Sequence, residues 1–188
     1  MRQGATNHDD EMLEVVDHDG NVLRLARRSE IHSDPSLIHK VVHVLVFDED
    51  GRLLLQKRSR TKDVAPGKWD TSVGGHVSPG ENIEDAARRE MQEELGTSEC
   101  PLNFLYRYLF SGTRETELVH TFSCILTGPF HYNIAEIEAV EFRELSDIRS
   151  SLGTGLFSRH FEHEITTYLG TARPPSLRDR RYTSGSEG

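Results

Sequence analysis

Between Asn82 and Gly96 the sequence puts acids where a helix ordinarily carries its core residues. With an advance of about 100° per residue, Ile83, Ala86, Ala87, Met91 and Leu95 share one arc of a helix that Gly96 would stop. Glu90 and Glu94 fall inside that arc and Glu93 at its edge, while Asp85, Arg88, Arg89 and Gln92 take the other side. A Glu-rich helix is ordinarily a solvated face, but here the acids lie on the side that must be buried. Three carboxylates about 6 Å apart repel by roughly 2–3 kcal/mol per pair at an effective dielectric near 20. No Lys or Arg shares their arc, so positive charge must come from elsewhere. Oxygen donors in such a cluster suit Mg²⁺, Mn²⁺ or Ca²⁺, whereas zinc would ask for His or Cys on the same face. Mg²⁺ commonly binds one or two carboxylates together with substrate phosphates, so the helix points to a cation and to a phosphorylated ligand.

Around this helix the chain reads as one domain over residues 12–170, with a flexible N-terminus at 1–11 and a disordered tail at 171–188. The tail holds Pro-Pro, several Arg and a Ser-Gly-Ser-Glu-Gly ending, with too few apolar groups to offset its ordering entropy. Leu13 to Val16 and Val22 to Leu25 flank Asp19-Gly20, a hairpin signal. Val41 to Phe47 and Leu53 to Leu55 flank the turn from Asp48 to Gly51 in the same way. Thr61 to Pro79, with its glycines and prolines, reads as irregular loop. Strand-like runs follow at Leu102 to Phe110, Leu118 to Leu126 and Ala139 to Phe142. Phe157, Phe161, Ile165 and Leu169 then mark a C-terminal amphipathic helix.

The 188 residues are 35% hydrophobic, enough for a packed core. No apolar run approaches the roughly 18 residues of a membrane span, and the start lacks the apolar stretch of a signal peptide. A net charge of −9 disfavours general nucleic-acid binding while leaving a small phosphorylated ligand open. Cys100 and Cys124 form no metal-binding or disulfide framework and suit a reducing cytoplasm. Oligomeric state is open, with a homodimer the assembly considered. Trp69, beside Pro-Gly, reads as a packing anchor in preference to a base-stacking platform.

Gly75, five residues, Glu81, seven residues, then Arg89-Glu90-Met91-Gln92-Glu93-Glu94-Leu95-Gly96 resembles the Nudix box, here residues 75–97, with Thr97 the one departure from the family's preferred aliphatic residue. The resemblance implies an α/β (α+β) fold, an α/β/α sandwich around a mixed β-sheet. It implies a Mg²⁺- or Mn²⁺-dependent hydrolase that cleaves a diphosphate linked to a nucleoside or related small group. By the same resemblance Glu90, Glu93 and Glu94 hold metal, joined by the carbonyl of Gly74, and Glu81 and Arg89 brace loop and helix by charge pairing. Catalytic roles fall to Glu93, Glu136 and Arg89, with the general base open between Glu93 and Glu136 and Glu138 a rival to Glu136. Lys57, Arg58 and Lys62, at a strand end and loop start, are the candidates for a non-reacting phosphate.

The stretch from His32 to Glu81 further resembles the isopentenyl-diphosphate isomerase branch, most clearly in Pro66-Gly67-Lys68-Trp69-Asp70-Thr71-Ser72-Val73-Gly74-Gly75-His76. That likeness implies a second metal site at His32, His39, His76, Glu115 and Glu117, and places Arg28 among the diphosphate-binding residues. The isomerase's reactive cysteine falls at Gly74, and the isomerase lacks acids at the positions of Glu90 and Glu93, so a hydrolase of the isomerase-like branch is the expectation. The alternatives are isopentenyl-diphosphate isomerase activity and a regulatory module that binds a nucleotide or diphosphate without cleaving it. His43, His120, His131, His160 and His163 gain no role from spacing.

Overall fold

The computed structural model describes residues 11–62 and 64–171. The expectations for 1–11 and 171–188 therefore lie, apart from Glu11 and Thr171, outside the described residues.

A ten-residue run, Ile38–Phe47, is buried almost throughout and forms β3, the strand around which the rest is arranged. It follows β1 (Met12–Val16), β2 (Val22–Arg27) and a one-turn helix α1 (Arg28–Ile31). After it come β4 (Leu53–Arg58), β5 (Trp69–Asp70), β6 (Val73–His76), α2 (Ile83–Leu95), β7 (Asn103–Ser111), β8 (Thr116–Ile125), β9 (Ile137–Arg143), α3 (Leu145–Ser150) and α4 (Arg159–Gly170). The strands make one mixed nine-stranded sheet. β3 runs parallel to β8 over its whole length and antiparallel to β1, β4 and β6. A strand paired on both sides and covered on both faces reads as a near-continuous apolar run.

The two faces are covered by different helices. Val42, Val44 and Val46 pack with Ala86, Ala87, Met91 and Leu95 of α2. The alternate residues Leu45 and Phe47 pack with Phe161, Ile165 and Tyr168 of α4. The mixed sheet between helices is the sandwich expected from the sequence. A smaller cluster of Leu13, Val15, Ala26 and Ile31 closes the N-terminal hairpin over α1.

Local chemistry sets the helix ends that matter for the site. Asn82 caps α2 by accepting from the Glu84 amide at 2.9 Å, and Glu84 and Asp85 in the first turn complement the helix dipole. Gly96 ends the helix at φ 74°, and a β-carbon there would lie 2.7 Å from the His131 carbonyl oxygen. Ser158 caps α4 by accepting from the Phe161 amide at 3.0 Å.

The structure departs from expectation in the stretch from Thr61 to Pro79, which contains β5 and β6 and is not wholly irregular. Gly74, Gly75 and buried Trp69 lie in strand, and glycine is needed at 74 and 75 because other side chains occupy the β-carbon space there. The short helices α1 and α3 carry too few residues to show a period. Trp69 packs in the core beneath Arg143, whose guanidinium carbon sits 4.3 Å from the ring centroid.

Candidate active site

Strand parity brings the histidines together. The residues of β3 that face α4 alternate, so the face that holds Leu45 and Phe47 continues through His43, Val41 and His39. On β8 the parallel register places Glu117 beside His39 and Thr121 beside His43. On β6 the antiparallel register sets His76 opposite Val41 and Gly74 opposite His43. His32, the residue capping α1, and Glu115, just before β8, complete the group. The rings of His32, His39 and His76 have centroids 5.2 to 5.4 Å apart.

Ligand atoms of His32, His39 and His76 lie within 4.8 Å of one another, as do those of His39, Glu115 and Glu117. His39 is wholly buried and neither ring nitrogen has a hydrogen-bond partner. Burial, aided by His76 and His32, holds its pKa down at about 3, so the ring is a neutral donor. Burial and the charge of Glu115 push Glu117 up to about 8. Burial pushes Glu115 up as well, but the neighbouring His32, at 3.0 Å, outweighs it and keeps that carboxyl below the usual range. Unpartnered imidazole nitrogens facing carboxylates fit a divalent metal, and nitrogen-rich sets of this kind favour the transition ions.

The acids of α2 approach the same cleft from the other face of the sheet. Glu90 lies against Gly75 so closely that a β-carbon there would stand 2.0 Å from its carboxyl carbon. Glu94 accepts from the Gly74 amide and from Gln56 Nε2, each at 3.1 Å. Burial raises Glu90 to about 7, Glu93 and Glu11 adding to it against the pull of Arg89. Burial and Glu90 raise Glu94 to about 8 despite its two donors. Glu93 is more open, 59% of its side chain being exposed. Carboxyls held this far above 4.5 are short of positive charge, and the set fits a bound divalent cation.

Contrary to expectation, the acids of α2 have a cation within reach on their own helix. Arg89 starts on the far side of the helix, but its long side chain reaches back to Glu90 at 2.6 Å and Glu93 at 3.6 Å. It also donates to both oxygens of Glu81 and to the His76 carbonyl, which is the bracing expected of the Glu81–Arg89 pair. The acids are thus partly compensated from within their own helix, though not enough to bring Glu90 and Glu94 into the ordinary range.

A cleft of about 1010 Å³ joins the two groups of ligands and is lined also by Arg28, Arg58, Lys62 and Glu136. Arg58 reaches Asp70 at 3.4 Å and Lys62 reaches Glu136 at 2.9 Å. Lys57, next to Arg58 in sequence, does not line the cleft; strand alternation turns it aside to Glu138, at 2.8 Å. Glu138 likewise lies outside the lining, with Lys57 and Arg60 as neighbours.

Several lining residues had no motif to mark them. His43 pairs with Glu164 of α4 at 2.7 Å, and His160 sits 3.1 Å from Glu117 while stacking on Phe110 at 4.1 Å. Burial opposes a charge on His43, but the field and hydrogen bond of Glu164 overcome it and raise the ring to about 9. Asp70 accepts from the Ser158 hydroxyl at 2.8 Å, tying the α4 cap to the cleft. For His43 the alternation His39, Val41, His43 on a strand was a usable signal. For α4, none precedes knowledge of where the helix docks.

Residues 37–163 match the NUDIX domain family. An uncharacterized Nudix hydrolase of Yersinia pestis is 35% identical over 130 residues, 69% of this chain and 71% of the relative. An isopentenyl-diphosphate Delta-isomerase of Streptomyces avermitilis is 33% identical over 169 residues, 87% of this chain and 84% of the relative. A crystal structure from Deinococcus radiodurans superposes with a TM-score of 0.73 at 23% identity, covering 84% of this chain and 98% of that one. Matched over most of its length by the family and by both relatives, the chain belongs to the NUDIX domain family.

Proposed function

We propose that the chain is a divalent-metal-dependent hydrolase that cleaves a diphosphate linkage in a small nucleoside-diphosphate-linked or related molecule. The observation that carries this reading is the pair Glu90 and Glu94, buried against two glycines and held above the ordinary carboxylate range at the mouth of a basic-edged cleft. Glu90, Glu93, Glu94 and the Gly74 carbonyl would hold Mg²⁺ or Mn²⁺. Bound there, the ion supplies a lowered pKa for water and neutralises phosphoryl charge.

The chain's own groups do the rest. Arg89, fixed by Glu81 and the His76 carbonyl, sets the orientation of the Glu90 carboxylate. Arg58, Lys62 and Arg28 offer cations to phosphate oxygens that do not react. Glu136 and Glu93, both lining the cleft, are the carboxylates available to take a proton from water. His32, His39, His76, Glu115 and Glu117 would hold a second metal. The two buried free thiols accord with a reducing compartment, and the cytoplasm is the location proposed. Among the described residues no helix is long and apolar enough to cross a membrane.

The histidine–glutamate group and the likeness to an isopentenyl-diphosphate isomerase favour isomerisation as a second reading. Against it stand Gly74, which has no side chain to move a proton, and the acid at Glu90. Release of phosphate or nucleotide from nucleoside di- and triphosphates, dinucleoside polyphosphates, nucleotide sugars and isopentenyl diphosphate, with and without Mg²⁺, separates the two. Metal-dependent release that Glu94→Gln lowers about a hundredfold or more is expected. Double-bond migration in isopentenyl diphosphate without phosphate release would replace the hydrolase reading.

A further inference from the structure

One buried pair, whose histidine lines the cleft, has no part in the chemistry above. His43 on β3 and Glu164 on α4, 121 positions apart, meet with Nδ1 2.7 Å from Oε2. Thr121 on β8 donates its hydroxyl to the other carboxylate oxygen at 2.8 Å. Glu164 has no exposure and His43 only 4%. Both oxygens of the acid and one nitrogen of the ring are therefore committed, and Nε2 is the ring's remaining polar atom.

The Nε2 edge lies beside Gly74. The strand register sets the two residues opposite each other, and a β-carbon on Gly74 would stand 2.9 Å from His43 Cδ2 and 3.2 Å from Nε2. The imidazole thus occupies the space that a side chain at position 74 would need. Gly74 in turn donates its amide to Glu94, so the ring borders the place where the acid cluster meets the cleft.

Stability alone does not account for the pair. Replacing a buried ion pair by apolar residues of similar size is often neutral or stabilising, and α4 already docks through Phe161, Ile165 and Tyr168. What the pair adds is a ring nitrogen on the cleft wall that cannot swing away, unlike the ammonium of Lys62 at the end of its flexible chain.

Building on the hydrolase reading, we propose that His43 is a substrate-binding residue, whose Nε2 edge, held beside Gly74 by Glu164 and Thr121, hydrogen-bonds an oxygen of the bound diphosphate. Glu164 is then a positioning residue, acting through the ring without touching substrate. The ring of His160 also lies against that of His43, with the centroids 4.6 Å apart.

The test compares the wild-type chain with His43→Gln, Glu164→Gln and the double variant, at one neutral pH. Each is measured by calorimetric titration with inorganic pyrophosphate, by steady-state diphosphate hydrolysis and by thermal melting. The double variant leaves no unpaired buried charge and stands in where a single variant fails to fold. Loss of a hydrogen bond to an anionic oxygen predicts pyrophosphate Kd and KM raised about tenfold or more in His43→Gln and in the double variant. A merely structural pair would lower the melting temperature and leave Kd and KM unchanged, which overturns the inference while the hydrolase reading stands. A wild-type chain that neither binds pyrophosphate nor hydrolyses any diphosphate overturns both.

Discussion

Glu94→Gln should make the metal-free protein more stable while removing its activity. Burial and Glu90 raise the Glu94 carboxyl from 4.5 to about 8. A carboxyl with a folded pKa above its unfolded value contributes stability that is complete below about pH 4.5 and lost as pH rises through about 8. Carried to pH 8, that shift corresponds to a ceiling of about 4 kcal/mol, and relaxation with water entry reduces it to about half. Glutamine keeps an acceptor for the Gly74 amide and carries no charge for Glu90 to repel. The expected gain for a chain of this size is therefore a melting temperature higher by about 4–8 °C in chelator at pH 8. Scanning calorimetry of both proteins at pH 5 and pH 8 reads it directly, with the gap closing at the lower pH. Excess Mg²⁺ or Mn²⁺ should then stabilise the wild type and not the variant, reversing the order. A variant that is less stable at pH 8, or a gap that is the same at both pH values, would refute the claim that these acids are held together against their own repulsion.

Three other outcomes follow from the placement of particular residues. Arg58→Ala should raise KM for a diphosphate substrate about tenfold, whereas Lys57→Ala, which alters a residue outside the cleft, should change steady-state kinetics less than about twofold. Zn²⁺ or Mn²⁺ at about a hundredfold over its Kd should raise the wild-type melting temperature by roughly 5–10 °C, and His39→Asn should remove most of that rise; equal shifts in both proteins would place the metal elsewhere. Trp69→Ala should cost about 3–5 kcal/mol in chemical denaturation, since the ring is core, while the order of preference among nucleobases at low temperature stays as in the wild type.

The acid cluster was legible because helix periodicity is local: fourteen or so consecutive side chains decide which of them share an arc, and no distant contact intervenes. Arg89 shows the limit of that reasoning, since a wheel locates Cβ atoms and a guanidinium ends several ångströms away from its own. The histidine–glutamate group was legible only through family resemblance, because its members come from α1, β3, β6 and the start of β8 and meet through sheet register. Strand alternation marked the face that His43 shares with His39, but Glu164 and its contact with His43 were not legible, since they depend on how a C-terminal helix docks. Gly74 and Gly75 were legible through family resemblance alone, since the composition around them suggests a loop. Consecutive strand residues face opposite sides of a sheet, so Gly74 is open toward His43 and Gly75 toward Glu90. Side chains at these two positions would fill the very spaces that His43 and Glu90 occupy. The absence of side chains there is what lets chemistry from two faces of one sheet share a single cleft, and no pattern of hydrophobic and polar residues can signal a requirement that consists of empty space.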